Sequence, residues 1–119
     1  MAQYRLTRVI QADIGAILAW SEEEFGKDAR KRYEALIATA IRDAVSRTGD
    51  VGPIVRPELG DGVFSWHLAQ SRARTPGKAM NRPRHFLICR PDGDVLVIVR
   101  VLYDAMEPHR YINSPDPWD

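Results

Sequence analysis

One run near the C-terminal end constrains this chain more than any other: Val95-Leu96-Val97-Ile98-Val99-Arg100-Val101-Leu102-Tyr103. It is rich in β-branched side chains and apolar at positions of both parities, the pattern of a strand covered on both faces. Arg100 is the one charge within it. Burying a guanidinium without a counter-charge is strongly unfavourable, so Arg100 must either pair or open onto a surface that another molecule covers. An acid of the same chain, Asp13 or Asp104, satisfies the first alternative, and a carboxylate of a partner the second.

The 119 residues, 45% of them hydrophobic, fit one domain with a single modest core. Residues 1–112 are expected to form that domain and 113–119, with Pro115 and Pro117, an extended tail that Trp118 could pin. No segment approaches the roughly 18 apolar residues of a membrane span, and Met1-Ala2-Gln3-Tyr4-Arg5 lacks the apolar core of a signal peptide. The expected compartment is therefore the cytoplasm. Cys89, the sole cysteine, lies inside an apolar run and reads as a small buried hydrophobe rather than a reactive thiol. Net charge is only +1, yet Gly62 to Pro91 holds Arg72, Arg74, Lys78, Arg82, Arg84 and Arg90 and no acid. Such a field attracts phosphates or an acidic peptide, or is simply a solvated basic loop.

Tyr4-Arg5-Leu6 reads as a short strand, and Thr7 as the N-cap of a helix marked by Ile10, Ile14, Ile17, Leu18 and Phe25. Gly26 stops it. A second helix follows at once, with Ala29, Tyr33, Leu36, Ile37, Ala40, Ile41, Ala44 and Val45 on one face, so the two form an antiparallel hairpin. Residues 48–62 are irregular. Phe64, Trp66 and Leu68 then alternate with Ser65 and His67, a half-buried strand. Ser71 to Pro83 reads as a long basic loop, His85 to Arg90 as the next strand, and Pro91-Asp92-Gly93-Asp94 as a hairpin turn into the final strand. The order β-α-α-β-β-β predicts an α+β fold, an antiparallel sheet with the N-terminal helical hairpin packed on one face. The opposite face is then expected to lack cover from this chain, and so to need a partner.

This order and three local patterns resemble the RelE/ParE superfamily of toxins from bacterial toxin-antitoxin operons, closest to the ParE branch. The patterns are Tyr4-Arg5-Leu6-Thr7 with Ala12-Asp13-Ile14 and Ile17; Phe25-Gly26 with Ala29 and Tyr33; and Arg100-Val101-Leu102-Tyr103-Asp104-Ala105-Met106 with Arg110-Tyr111-Ile112. The likeness covers residues 3 to 112. Two positions depart from it: Tyr103 stands where the family has a histidine, and Cys89 where a tyrosine is common. The loop 71–83 is also longer than in a compact ParE toxin. The resemblance implies a toxin that binds and inhibits DNA gyrase and is neutralised by a ParD-like antitoxin whose C-terminal segment wraps it.

Under that reading there is no catalytic residue, and Arg84, Arg90, Arg100, Tyr103 and Met106 are the candidates for partner contacts. The alternative is a ribosome-dependent mRNA endonuclease of the RelE type. Attack by the RNA 2′-hydroxyl needs an acid, a base and cations on the phosphate, for which His109, Tyr111 and Arg100 are candidates. Near-neutral charge argues against ribosome binding. Direct nucleic-acid binding by Arg72, Arg74, Lys78 and Arg82 is not expected, because no aromatic residue lies between Trp66 and Phe86 to stack on a base. His67, His85, His109 and Cys89 lack metal-ligand spacing, and Gly60-Asp61-Gly62 lacks the lysine of a phosphate loop, so neither metal nor cofactor is expected.

Overall fold

A computed structural model describes residues 3–46, 52–77 and 82–112. Strand β1 (Gln3–Leu6) leads into helix α1 (Arg8–Phe25), and α2 (Lys27–Ser46) returns alongside it. Thr7 is the N-cap: its Oγ1 accepts from the Ile10 N–H at 3.2 Å, satisfying one of the donors a helix start leaves open. Gly26 ends α1 at φ +92°, a conformation that disfavours a Cβ. The hairpin joint is therefore one residue long. After a two-residue strand β2 (Ile54–Val55) and a 3-10 turn at Pro57–Leu59 come β3 (Phe64–His67) and a 3-10 helix over Leu68–Arg74. Strands β4 (His85–Asp92) and β5 (Val95–Tyr103) form the long hairpin about Gly93, whose φ of +61° suits the first central residue of a two-residue turn. A single helical turn, α3 (His109–Ile112), follows.

The fold is α+β as expected, and the described residues form five strands in the order β1-β5-β4-β3-β2. The sheet corrects the expectation of a wholly antiparallel one: β1 runs parallel to β5, pairing Gln3 with Val95 through Leu6 with Ile98. Hairpins dictate direction only between strands consecutive in sequence. The neighbour of β1 is the last strand, and no turn links the two.

Helices α1 and α2 cover one face, where Ile10, Leu36, Trp66, Leu68, Leu87, Leu96 and Ile98 are fully buried. Phe25 departs from its expected place in this layer: it is 68% exposed and stacks edge-on against Trp20 at 5.6 Å. The expectation of an uncovered far face is overturned. Val63, Phe86, Ile88, Val99 and Leu102 form a second buried cluster there with Ile112 of α3, and Leu59 of the 3-10 turn packs against it. Two single turns of helix, too short to carry a periodic signal in sequence, supply part of the roof.

Between Ile88 and Cys89 the β4–β5 register slips, so that Ile88 faces Arg100 while Cys89 faces Ile98, leaving Val99 as an extra residue. Leu96 and Ile98 point to the helices before this bulge, and Val101 after it. That shift of parity is one reason why both parities of the run are apolar. Cys89 is fully buried in β4. The basic segment expected as a loop opens with the 3-10 helix. There buried Ser71 accepts from the Trp66 indole N–H at 3.2 Å, and Arg74 meets Asp43 of α2 at 2.8 Å.

Candidate functional site

Strand β1 ends at Leu6 opposite Ile98, so among the described residues the second half of β5 has no strand beside it on that edge. Two polar side chains take over the ladder. The Thr7 hydroxyl donates to the Val99 carbonyl at 2.8 Å, and the Asp13 carboxylate accepts from the Val101 N–H at 3.1 Å. The same carboxylate receives Arg100 in a bidentate fork, with Nε and Nη2 each at 2.8 Å. Nη1 of Arg100 donates to the Tyr111 carbonyl at 3.0 Å, and the guanidinium lies 5.6 Å from the Tyr111 ring centre. Arg100 is thus satisfied by its own chain. Of the two acids the sequence offered, Asp13 is the partner.

Asp104 joins a different group, at the end of the sheet where β3 and β5 finish and β4 begins. Its N–H donates to the Arg84 carbonyl at 2.8 Å, folding the turn after β5 against the start of β4. Its carboxylate accepts from Arg84 Nε at 3.0 Å, and the hydrogen bond from Arg84 holds it below the usual carboxylate range. His67 Nδ1 accepts from the Ala69 N–H at 3.0 Å, which leaves the proton on Nε2, 3.6 Å from Asp104. Arg84 also lies 5.3 Å over the Tyr103 ring, and Tyr103 stacks edge-on against His85. Behind them Tyr33 of α2 and His85 Nδ1 are 2.5 Å apart. Burial drives the Tyr33 hydroxyl far above its ordinary range, with a hydrogen bond from the Arg84 backbone opposing, so Tyr33 is the donor. Burial also lowers the His85 pKa and favours the neutral ring.

Chemically, Asp104 and Tyr33 are poorly suited to proton transfer. A carboxylate of reduced basicity and a phenol of raised pKa are poor general base and general acid at neutral pH. What faces solvent is a guanidinium, half-exposed aromatic surface at Tyr103, and a thioether. Met106 is 39% exposed, and its N–H donates to the Tyr103 carbonyl at 2.9 Å.

Of the residues singled out from sequence, Arg84, Tyr103 and Met106 therefore share one end of the sheet. Arg90 sits toward the other end of β4, paired in register with Val97, and is partly buried. Tyr111 packs beside Arg100, on the turn of α3 that begins at His109. Arg72 and Arg82 are exposed, Arg74 is occupied by Asp43, and Lys78 lies outside the described residues, as does the tail 113–119. Among the described residues no cluster of His, Cys, Asp or Glu could hold a metal ion, and no helix is long and apolar enough to cross a membrane. Sequence reasoning missed the Tyr33–His85–Tyr103 stack and the link from His67 to Asp104. Alternation along β3 put His67 on the face away from the core, but nothing local ties it to a residue of another strand. Compared with known proteins, the chain matches no family model and no curated protein.

Proposed function

We propose that this chain is the toxin of a type II toxin-antitoxin pair, of RelE/ParE kind and nearest the ParE branch. It acts by binding DNA gyrase and is held inactive by a ParD-like antitoxin. One observation carries the reading: the three sequence patterns of the resemblance, scattered over residues 4–112, meet around β4 and β5. Thr7 and Asp13 of the first hold Val99, Arg100 and Val101, and Tyr33 of the second holds His85 against Tyr103 of the third. Contacts that tie the first pattern directly to β5, and the second to Tyr103 through His85, support the resemblance.

The surface best suited to a partner is the Arg84–Tyr103–Met106 end of the sheet. It combines a guanidinium with aromatic and thioether area, the composition of interface anchors. Arg100, with its nitrogens committed to Asp13 and Tyr111, has a structural task instead. The same commitment weakens the nuclease alternative, whose set of His109, Tyr111 and Arg100 needs a cation free to hold phosphate.

The test is expression of the chain alone, followed by two assays side by side with purified protein: gyrase supercoiling, and mRNA cleavage on translating ribosomes. Growth arrest, inhibited supercoiling and intact mRNA are the expected results. Arrest should survive the double replacement His109→Ala, Tyr111→Phe. Cleavage of mRNA that disappears in that double variant would establish the nuclease instead, and harmless expression at high level would sink the toxin reading.

A further inference from the structure

His67 serves two neighbours, and no single protonation state suits both. It is the N-cap of the 3-10 helix Leu68–Arg74, where its Nδ1 accepts from the Ala69 N–H at 3.0 Å. A ring nitrogen accepts only with a bare lone pair, so that bond belongs to the neutral imidazole. Nε2, which then carries the hydrogen, lies 3.6 Å from Asp104 Oδ2, longer than a hydrogen bond. The neutral ring is therefore held on the helix side and slack on the carboxylate side. It is also partly exposed, so a proton can reach it from solvent.

From this geometry we infer that His67 is an acid-sensitive latch, which on gaining a proton releases the Ala69 N–H and closes on Asp104. Protonation puts hydrogens on both ring nitrogens. Nδ1 and the Ala69 amide then become two donors facing each other, while the slack contact at Nε2 becomes a charge-assisted hydrogen bond. The surrounding charges decide which anion the ring meets. From the end of the sheet come Asp104 and, bound to it, Arg84. On the β2 side Arg56 donates to the Ser65 hydroxyl and lies 3.8 Å from Glu58. Strand β4 brings His85, which is hydrogen-bonded with Tyr33 of α2. Within the 3-10 helix Arg72 is exposed and Arg74 lies against Asp43 of α2. Asp104 is thus the carboxylate in contact with the ring. A charged His67 shares it with Arg84, and the group of three passes from neutral to positive. The release is confined to the first turn of the helix: Ser71 stays bonded to the Trp66 indole and Arg74 to Asp43. Ala69 is exposed, so water takes over its amide and the exchange is reversible. None of this depends on the toxin reading.

The experiment is nuclear magnetic resonance of the isotope-labelled full chain, titrated from about pH 8 to about pH 5, the span in which imidazoles change charge. At the upper end the His67 ring should show a bare Nδ1 and a protonated Nε2. On acidification the Ala69 amide signal should move in step with the ring. Its hydrogen exchange, taken relative to the intrinsic rate at each pH, should quicken several-fold while the Trp66 indole signal holds. His67→Asn, whose side-chain oxygen caps the helix at every pH, should abolish the Ala69 inflection. Asp104→Asn, which takes the charge from beside Nε2, should keep the inflection and move it to lower pH. If His67→Asn fails to fold, the ring and amide signals of the unaltered chain decide alone. A neutral ring protonated on Nδ1, an Ala69 amide that ignores the ring, an inflection that persists in His67→Asn, or one unmoved in Asp104→Asn overturns the inference.

Discussion

At the scale of single residues, Asp13 is the side chain on which most depends. One carboxylate satisfies the Arg100 fork and the Val101 N–H, so its removal strands a largely buried cation and an amide together. Asp13→Ala should lower the unfolding free energy in urea by about 3 kcal/mol. Asp13→Asn, which keeps an acceptor but no charge, should lose less. Arg100→Ala is expected to act through stability in the same way. His85 contributes a pH dependence of definite sign. Its folded pKa is lowered by burial, so below the ordinary histidine value of about 6.5 the unfolded chain takes up a proton more readily than the folded one. The stabilisation is complete above that value and is lost as the pH falls through the folded one. Asp104, also lowered, acts in the same direction in more acid solution. Unfolding free energy measured against pH should therefore fall on acidification from neutrality. In His85→Gln the upper part of that slope should flatten.

At the scale of elements, α3 is worth more than its four residues suggest. A single turn has no stability of its own, and this one exists because Ile112 enters the cluster of Phe86, Ile88, Val99 and Leu102. Ile112→Ala should cost about 2 kcal/mol in thermal or urea unfolding and increase binding of an apolar dye by the far face. The same turn shows where legibility stopped. Helices α1 and α2 were readable because their periodic stripes run for several turns between a Thr7 cap and a Gly26 stop, and β5 because it is long and β-branched. The fold class followed from those elements in order. The parallel pairing of β1 with β5 was not readable, being a choice between distant segments with no turn to dictate it. Nor was the roof of the far face, since Leu59 and Ile112 each sit in a single turn. For the site, Arg84, Tyr103 and Met106 could be named but not brought together, because the turn that joins them depends on the Asp104 N–H reaching across to Arg84.

At the scale of the whole molecule, near-neutral net charge with the excess cations on one segment supports the proposed protein target over the RNA alternative. Under the proposed toxin function, affinity for the target or the antitoxin should rest on a few anchors, and Arg84→Ala with Tyr103→Ala should weaken one or both by about tenfold or more without loss of fold. Titration calorimetry of the variant against each partner checks it. The knitting of the two ends of the chain reaches further. Thr7 to Val99 and Asp13 to Arg100 span 92 and 87 residues, and among the described strands β5 lies beside β1. During synthesis the helical hairpin can leave the ribosome with no sheet to lie on, its inner face wet until β4 and β5 emerge. A chain interrupted before β5 is therefore left without the partner of its first strand, and the domain takes its shape only once both β1 and β5 are free of the ribosome.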